Sequence, residues 1–421
     1  MRSHRADRPS VSIDLTDPDL WQRGIPHEEL ARLRRDAPVA WAEHPRGQRG
    51  FWVVTRHADV VAVSRDPTTY TSRDGVITLD DLDDDQLEAR RTMLEEDPPR
   101  HRELRSLTSA HFTPRAVRAY EEFVRHLAAK VIDEAIAAKE VDFVEAISEL
   151  VPIRVLGRIL GVADDDVGHL IRLGNQMIGS DDPEYTDPML KEMDPDDLRL
   201  LPFGHPAALE AFEIATAIAS RRRVEPRQDV MSALALGEID GHPLTERELG
   251  TYFVLLVIAG NETTRHTITL GVKALAEHPE QWERLRSGTG DANRAADEVI
   301  RWASAIHFHR RTATQDTQLA GIDIAAGEKV ALYFASANFD ETVFDDPYRF
   351  DLARSPNDHV SFGRGGPHFC LGAHLARLEV AVVLEELAKR ISSIALLGEA
   401  VRLRSNHING IKHLPVRLNP I

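Results

Sequence analysis

The chain has 421 residues, of which 28% are charged and 42% hydrophobic, a composition typical of a globular protein with a large core. Its formal net charge of −17 argues against nucleic acid as a partner, because phosphate binding needs a basic face. The single cysteine excludes a disulfide framework and a cysteine-rich zinc site, and it is typical of a reducing cytoplasm. We find neither a signal peptide nor an apolar run that could span a bilayer, so we expect a cytoplasmic protein without a membrane anchor.

The N-terminal part of the chain predicts a few short elements. Residues 1–12 are expected to form a flexible tail, and residues 26–35 an amphipathic helix with proline near its first turn. Two apolar segments, 39–41 and 51–55, flank a polar loop with proline and glycine, which is typical of a β-hairpin. A helix over 57–65 should end at the Asp-Pro pair that follows it.

Helices dominate the middle of the chain, from about residue 113 to 303. The polar, proline-containing stretch at 179–188 indicates a mobile loop between helices. Short strands return over 311–334, with a hairpin predicted within 322–330. Because no internal repeat or flexible linker interrupts the pattern, we predict one mainly α domain with a small β portion over residues 13–421.

One long helix is predicted to carry a polar group at its centre. Thr245 and Glu248 form a capping-box pattern, and no breaker follows until Pro279, a length of about 50 Å. The first half is apolar on all sides, which implies burial, and residues 260–264 are then polar. The alternative is a helix that emerges into water there, but the apolar pattern resumes at Ile268. A buried carboxylate beside a hydroxyl is suited to proton relay.

The only cysteine, Cys370, lies between a glycine-rich loop and a segment with helical apolar spacing. This places its sulfur at a helix N-terminus, where the helix dipole and free backbone N–H groups favour a thiolate. A lone buried cysteine is nevertheless more often inert packing. A cysteine nucleophile is a further alternative, with His368 as the general base that it would need.

Four segments together resemble the cytochrome P450 family of haem-thiolate monooxygenases, in both order and spacing. They are residues 259–264, residues 298–301, the pair 337–340 and 347–350, and residues 362–372. The resemblance covers nearly the whole chain and implies the triangular-prism fold of that family, with the long helix crossing over the haem. It also implies haem b as cofactor, dioxygen as co-substrate, electrons from a ferredoxin and ferredoxin reductase, and a monomer.

The resemblance also assigns roles to individual residues. Cys370 matches the axial thiolate ligand of the haem iron. Glu262 and Thr263 match the acid–alcohol pair that organises water and delivers protons to dioxygen. The other matched positions contact the haem at its propionates or around its ring: His101, Arg105, Ala259, Gly260, Arg311, Phe362, Gly363, His368 and Gly372.

A charge network is the remaining matched feature. Glu298 and Arg301 alone would be an ordinary i,i+3 surface pair. The resemblance implies instead that they form a buried structural network with Arg349, in which loss of one partner would strand a charge.

One departure from the family pattern concerns the cysteine loop. Phe362 lies eight residues before Cys370 where the family usually has seven, which leaves open whether Gly365 or Gly366 takes the close turn. With this longer loop, the chain is similar to the actinobacterial branch that hydroxylates cholesterol side chains and methyl-branched lipids.

The resemblance therefore implies hydroxylation of an unactivated C–H bond in a steroid, terpenoid or branched lipid. The segment between residues 79 and 85 contains five aspartates and is most simply a solvated loop. It also leaves open an alternative function, the oxidation of a polyketide or other natural-product scaffold. Haem-thiolate chemistry other than monooxygenation is a second alternative. A metal site at His307 and His309 has little support, because no third ligand is recognisable nearby. By position, the substrate pocket is expected to include Ile77, Leu79, Leu255, Ile258, Ala303, Ile306, Ile408 and Ile411.

Overall fold

The structure is a computed structural model that describes residues 8–179, 181–186, 190 and 193–421. Its α-helices follow the chain as α1 Pro18–Gln22, α2 His27–Asp36, α3 His57–Arg65, α4 Asp84–Arg90, α5 Arg100–Ser109, α6 Pro114–Arg118, α7 Glu121–Ala138, α8 Leu150–Leu160, α9 Asp164–Ile178, α10 Pro195–Arg199, α11 Ala207–Val224, α12 Val230–Leu236, α13 Glu246–Glu277, α14 Pro279–Arg286, α15 Ala292–Ala303, α16 Phe334–Ala337 and α17 Ala373–Arg390. The mainly α prediction is confirmed.

The strands are short and form separate sheets. In chain order they are β1 Val39–Ala42, β2 Phe51–Val54, β3 Tyr70–Thr71, β4 Glu140–Asp142, β5 Glu238–Ile239, β6 His242–Pro243, β7 Phe308–Ala313, β8 Thr317–Leu319, β9 Ile322–Ile324, β10 Lys329–Tyr333, β11 Ile391–Leu396, β12 Val401–Arg402, β13 Ile411–His413 and β14 Pro415–Pro420. The largest sheet has the order β1-β2-β10-β7-β3, and β11-β14-β4 forms a second one. The pairs β12-β13, β5-β6 and β8-β9 complete the set.

The predicted hairpin of β1 and β2 is confirmed, with Trp41 opposite Trp52 in antiparallel register. The hairpin predicted within 322–330 is wrong, because β9 pairs with β8 whereas β10 pairs with β7 and β2. Ala320 and Gly321 both have positive φ between β8 and β9, as a tight two-residue hairpin turn requires.

Alternating side chains of the largest sheet enter two different apolar clusters. Trp52 and Val54 of β2 pack on one face, and Phe51 and Val53 pack on the other. The main core lies among the helices and surrounds the buried positions of α13. Among the described residues, no helix is long and apolar enough to cross a membrane.

The helix α13 spans 32 residues and begins with the predicted capping box at Thr245. Its central Asn261, Glu262 and Thr264 are buried, so the helix does not emerge into water at this point. The Thr263 hydroxyl donates to the Ala259 carbonyl over 2.7 Å, a bond one turn back along the helix. The polar residues at 260–264 therefore form a mostly buried cluster in the middle of an otherwise largely apolar helix.

Two segments expected to be loose have contacts in the structure. Pro9 and Val11 exchange backbone hydrogen bonds with Trp41 of β1, at 2.7 and 2.9 Å, while residues 1–7 of the predicted tail lie outside the described residues. In the stretch 179–188, Asp182 is buried and accepts a hydrogen bond from Lys412 Nζ at 2.8 Å. Residues 180, 187 and 188 of that stretch also lie outside the described residues.

Candidate functional site

Cys370 lies just before α17, whose N-cap is Gly372, which confirms the prediction of a helix N-terminus. Its backbone N–H donates to the Phe362 carbonyl over 2.8 Å and closes the loop. Burial raises the pKa of the Cys370 thiol, while the Gly372 N–H and the charges of Arg105 and Arg377 act to lower it. A bound metal cation would deprotonate such a thiol.

Two adjacent glycines in this loop have different roles. Gly365 has φ +88°, in the left-handed region that favours glycine. Gly366 has no positive φ, but a Cβ atom there would lie 1.9 Å from the Ser64 carbonyl oxygen. Gly365 therefore takes the turn, and Gly366 allows the loop to approach α3.

A cavity of about 560 Å³ separates the cysteine loop from the middle of α13. Cys370 lines it, and so do Ala259, Gly260 and Thr263 of α13. The cavity also brings together the remaining residues predicted to contact the cofactor: His101, Arg105, Arg311, Phe362, Gly363, His368 and Gly372.

Basic side chains come together in this cavity, and the described residues place none of their carboxylates within ion-pair distance of Arg105 or Arg311. The rings of His101 and His368 lie 4.1 Å apart, and His368 Nε2 hydrogen-bonds with the Ser72 hydroxyl at 3.2 Å. In the part of the chain that the structure describes, neither Arg105 nor Arg311 has a carboxylate within 4.0 Å. Burial lowers the pKa of Arg311 to about 10, which still leaves it charged at neutral pH. These basic side chains fit a group with two carboxylates, such as the haem propionates.

His309 also lines the cavity and was not among the predicted cofactor residues. It lies two positions before Arg311 on β7, and residues two apart on a strand share a face, so strand alternation could have indicated it. His307 instead stacks on Trp21 at 4.1 Å and donates from Nδ1 to the Asn406 carbonyl at 3.0 Å. The two histidines thus do not converge on a metal.

The predicted acid–alcohol pair is divided in the structure. Thr263 lines the cavity, whereas Glu262 is fully buried and does not line it. Successive residues of an α-helix point about 100° apart, so neighbours on α13 need not face the same space. The Glu262 carboxylate lies instead against Arg265 and Asn261, so its part in a proton relay with Thr263 stays a prediction.

The environment of Glu262 is polar but incompletely bonded. Arg265 pairs with Glu262 and also donates from Nη1 to Glu149 at 2.7 Å and to Asn175 at 2.6 Å. Burial raises the pKa of Glu262, the charge of Arg265 opposes this shift, and the charge of Glu149 adds to it. Arg265 Nε and Asn261 Oδ1 have no hydrogen-bond partner among the described residues.

The second charge network centres on Glu298 and Arg301 of α15, which are joined by two hydrogen bonds of 2.8 Å. Both side chains are fully buried. Arg301 Nη1 also donates to the carbonyls of Asn338 at 2.8 Å and Pro347 at 3.0 Å. These bonds connect α15 to the segments that follow α16.

The prediction that Arg349 is the third member of this network is wrong. Arg349 is exposed, and Arg354 instead donates from Nε to Glu298 Oε2 at 3.1 Å. The Arg354 Nη atoms also donate to the carbonyls of Asp345, Asp346 and Arg349. The turn over these residues faces its carbonyls inward, so it binds the later arginine and leaves the Arg349 side chain in solvent.

The structure corrects two predicted substrate-pocket residues. Ala303 ends α15, and its carbonyl accepts a hydrogen bond from Asn409 Nδ2 at 2.6 Å, whereas Ile411 is fully buried in the main core. Neither lines the cavity, because each packs against neighbouring elements. The other predicted positions line it: Ile77, Leu79, Leu255, Ile258, Ile306 and Ile408.

Glu379 of α17 is a cavity residue that the sequence analysis missed. It is buried, and its Oε2 atom has no partner within the described ranges. Burial raises the pKa of Glu379 well above its usual range. Its spacing of four from Leu375 on the same helix face was the available signal.

Comparison with known proteins gives matches along the chain. The family model described as Cytochrome P450 matches residues 292–393. A steroid C26-monooxygenase of Mycolicibacterium smegmatis is 38% identical over 416 residues, which is 96% of this chain and 93% of the relative. A methyl-branched lipid omega-hydroxylase of Mycobacterium tuberculosis is 39% identical over 419 residues, 97% of this chain and 95% of the relative. A solved cytochrome P450 of Mycobacterium marinum, in complex with pseudoionone, has a TM-score of 0.88 and 37% identity, with 98% of this chain and 100% of that chain covered.

Proposed function

Because the chain belongs to the cytochrome P450 family and is a haem-dependent monooxygenase, we propose that the cavity would hold haem b, with the Cys370 thiolate as the protein ligand to its iron. The observation that carries this proposal is one cavity lined by Cys370, Thr263, Arg105 and Arg311. The two arginines lack a carboxylate partner in the described part of the chain, and the propionates would provide it.

Haem bound there supplies the activation of dioxygen, so that one oxygen atom enters a C–H bond and the other leaves as water, with two electrons and two protons consumed. The chain's own residues hold and orient this group. His101 and His368 add neutral ring donors beside the arginines, since burial lowers the pKa of His101 to about 4 and of His368 to about 2.

Proton delivery is assigned to α13. Thr263 lines the cavity and is placed to hold water there. Its hydroxyl proton is donated to the Ala259 carbonyl, which leaves its oxygen lone pairs free to accept from such water. Glu262 lies behind this surface, paired with Arg265, and would have to leave that pairing to pass a proton toward the cavity.

The substrate class is a hydrophobic small molecule, and we assign it to steroids, terpenoids or branched lipids. The apolar lining residues and the two relatives named for a steroid and for methyl-branched lipids support this class. The acidic run gives less support to a polar natural product than the sequence suggested. Asp81 pairs with Arg49 at 3.0 Å and with Lys329 at 3.2 Å, and Asp83 pairs with Arg199 at 2.8 Å.

Electrons are assigned to a ferredoxin and its reductase, with Arg115, Arg364 and Arg377 as candidates for a basic docking face. Arg364 pairs with Asp358 and Arg377 with Asp297, each at 2.7 Å, so these two arginines are partly neutralised. The monomeric state, the cytoplasmic location and the single domain over 13–421 stay predictions.

The proposal is tested by reconstituting turnover with a surrogate ferredoxin and ferredoxin reductase. We expect oxygen consumption that depends on substrate and yields a hydroxylated product. Haem binding without oxygen consumption would contradict the monooxygenase assignment and favour a reaction of another kind. A protein purified without haem would revive a nucleophilic role for Cys370.

A further inference from the structure

One basic residue of the cavity lining, Arg90, is not among those assigned to the propionates. Arg90 ends α4, is partly buried and lines the cavity. Its Nε atom has no hydrogen-bond partner, and residues of the described ranges place no carboxylate within ion-pair distance of it. A charged donor that is buried without a partner is costly, so its presence on a cavity wall points to a ligand.

The two carboxylates whose charges act on Arg90, those of Asp80 and Asp83, have other ion-pair partners. Asp80 pairs with His44 at 3.1 Å, and Asp83 pairs with Arg199 at 2.8 Å. Asp83 also caps α4 at its N-terminus. Burial lowers the pKa of Arg90, while the charges of Asp80 and Asp83 act to raise it. Arginine side chains are charged at neutral pH in proteins.

The backbone at Gly204 packs closely against the Arg90 guanidinium. Gly204 has φ +65°, and a Cβ atom there would lie 2.8 Å from Arg90 Nη2. A side chain at this position would displace the guanidinium, so the glycine allows the backbone of residues 202–204 to pack against it. The neighbouring Phe203 lines the cavity, as do Leu82 and Leu87 near Arg90 in the chain. One cation is thus fixed among apolar side chains.

We propose that Arg90 binds the carboxylate of an amphipathic acid substrate whose hydrocarbon part lies in the cavity beside Cys370. This inference rests on the proposed monooxygenase function and narrows its substrate class to aliphatic acids. A guanidinium matches a carboxylate in two parallel hydrogen bonds. A single negative charge suits this position better than a doubly charged phosphate, because Asp80 and Asp83 already reduce the local positive potential.

The test compares isopalmitic acid, its methyl ester and the matching primary alcohol as ligands of the haem-loaded full chain. Dissociation constants are measured by calorimetry and by the spin-state change of the haem. We expect the acid to bind roughly ten- to a hundred-fold more tightly than the ester or the alcohol. Arg90→Met should reduce acid binding to the level of the ester and leave ester binding unchanged, and Arg90→Lys should retain part of the preference.

Arg91→Met is the matched control, because Arg91 pairs with Glu88 at 3.1 Å and does not line the cavity. This variant should keep the full acid preference. Equal affinities for acid and ester in the unmodified protein, which need no variant to measure, would overturn the inference, as would an acid preference that survives in Arg90→Met. The carbon monoxide spectrum of the same samples separates the two proposals. If the spectrum is not of the thiolate type, the proposed function is wrong. If the spectrum is of the thiolate type but the acid binds no more tightly than the ester, only the present inference is wrong.

Discussion

In two glutamate–arginine pairs, one on α13 and one on α15, the partners lie three residues apart and are almost fully buried. The two pairs differ in how many of their polar atoms form hydrogen bonds. On α15, Glu298 accepts hydrogen bonds from Arg301, Arg354, Asn357 and the backbone of Asp351. Neither Glu298 nor Arg301 has a buried polar atom without a partner in the described chain. On α13, the pair of Glu262 and Arg265 leaves Arg265 Nε unbonded.

This difference indicates different roles for the same sequence pattern. A pair bonded at every atom has no alternative arrangement of comparable energy, so it fixes the elements that it joins. A pair with an unbonded donor, one residue from the cavity-lining Thr263, can exchange partners with water. We therefore assign the pair on α15 to the fold and the pair on α13 to proton transfer.

Breaking the α15 pair should have the largest effect. Glu298→Gln removes the charge that compensates buried Arg301 and Arg354, which should destabilise the protein by about 3–5 kcal/mol. Denaturant unfolding of the haem-loaded protein measures this loss. An unchanged unfolding midpoint would show that the network is dispensable.

Glu262→Gln should leave the fold in place, because Arg265 keeps Glu149 as a partner at 2.7 Å. Product formation should fall about a hundred-fold, since a group that transfers protons typically contributes at least this much. Steady-state turnover under saturating reductant is the measurement. Turnover equal to that of the unmodified protein would remove Glu262 from the proton path.

Arg354→Met and Arg349→Met test which arginine belongs to the α15 network. Arg354→Met should lower the free energy of unfolding by about 1–3 kcal/mol, because it leaves carbonyls of the turn and part of Glu298 unbonded. Arg349→Met should change it by less than about 0.5 kcal/mol, since that side chain is exposed. The reverse order of effects would restore the assignment made from sequence.

Thr263→Ala should have the smallest effect on stability and on oxygen consumption. Among the described residues, its hydroxyl bonds only to the Ala259 carbonyl, so the helix loses little without it. We expect the reducing equivalents to be diverted to peroxide, measured as the ratio of peroxide to product. Thr263→Ser, which keeps the hydroxyl, is the control and should restore product formation.

Elements with local signals could be predicted from the sequence. The bounds of α13 followed from the capping box at Thr245 and from Pro279, and the position of Cys370 before α17 followed from apolar spacing. The hairpin of β1 and β2 was likewise indicated by two apolar segments around a polar loop.

Features that depend on tertiary contacts could not be predicted. Arg349 and Arg354 lie in a segment without regular secondary structure, so their distance from Glu298 depends on the backbone of a turn. Similarly, the helix was predicted correctly around Glu262 and Thr263, but which of them faces the cavity depends on how α13 is rotated against its neighbours. Arg90 carried no local signal, because its site is completed by Gly204, more than a hundred residues away in the chain.

The most direct test records the reduced, carbon monoxide-treated spectrum of Glu298→Gln and Glu262→Gln, purified in parallel with the unmodified protein. We predict the strongly red-shifted Soret band of thiolate-bound haem at full intensity in the unmodified protein and in Glu262→Gln, and at reduced intensity in Glu298→Gln. An imidazole-type band in the unmodified protein would contradict Cys370 as the ligand. Equal bands in the two variants would contradict the division of roles between the two pairs.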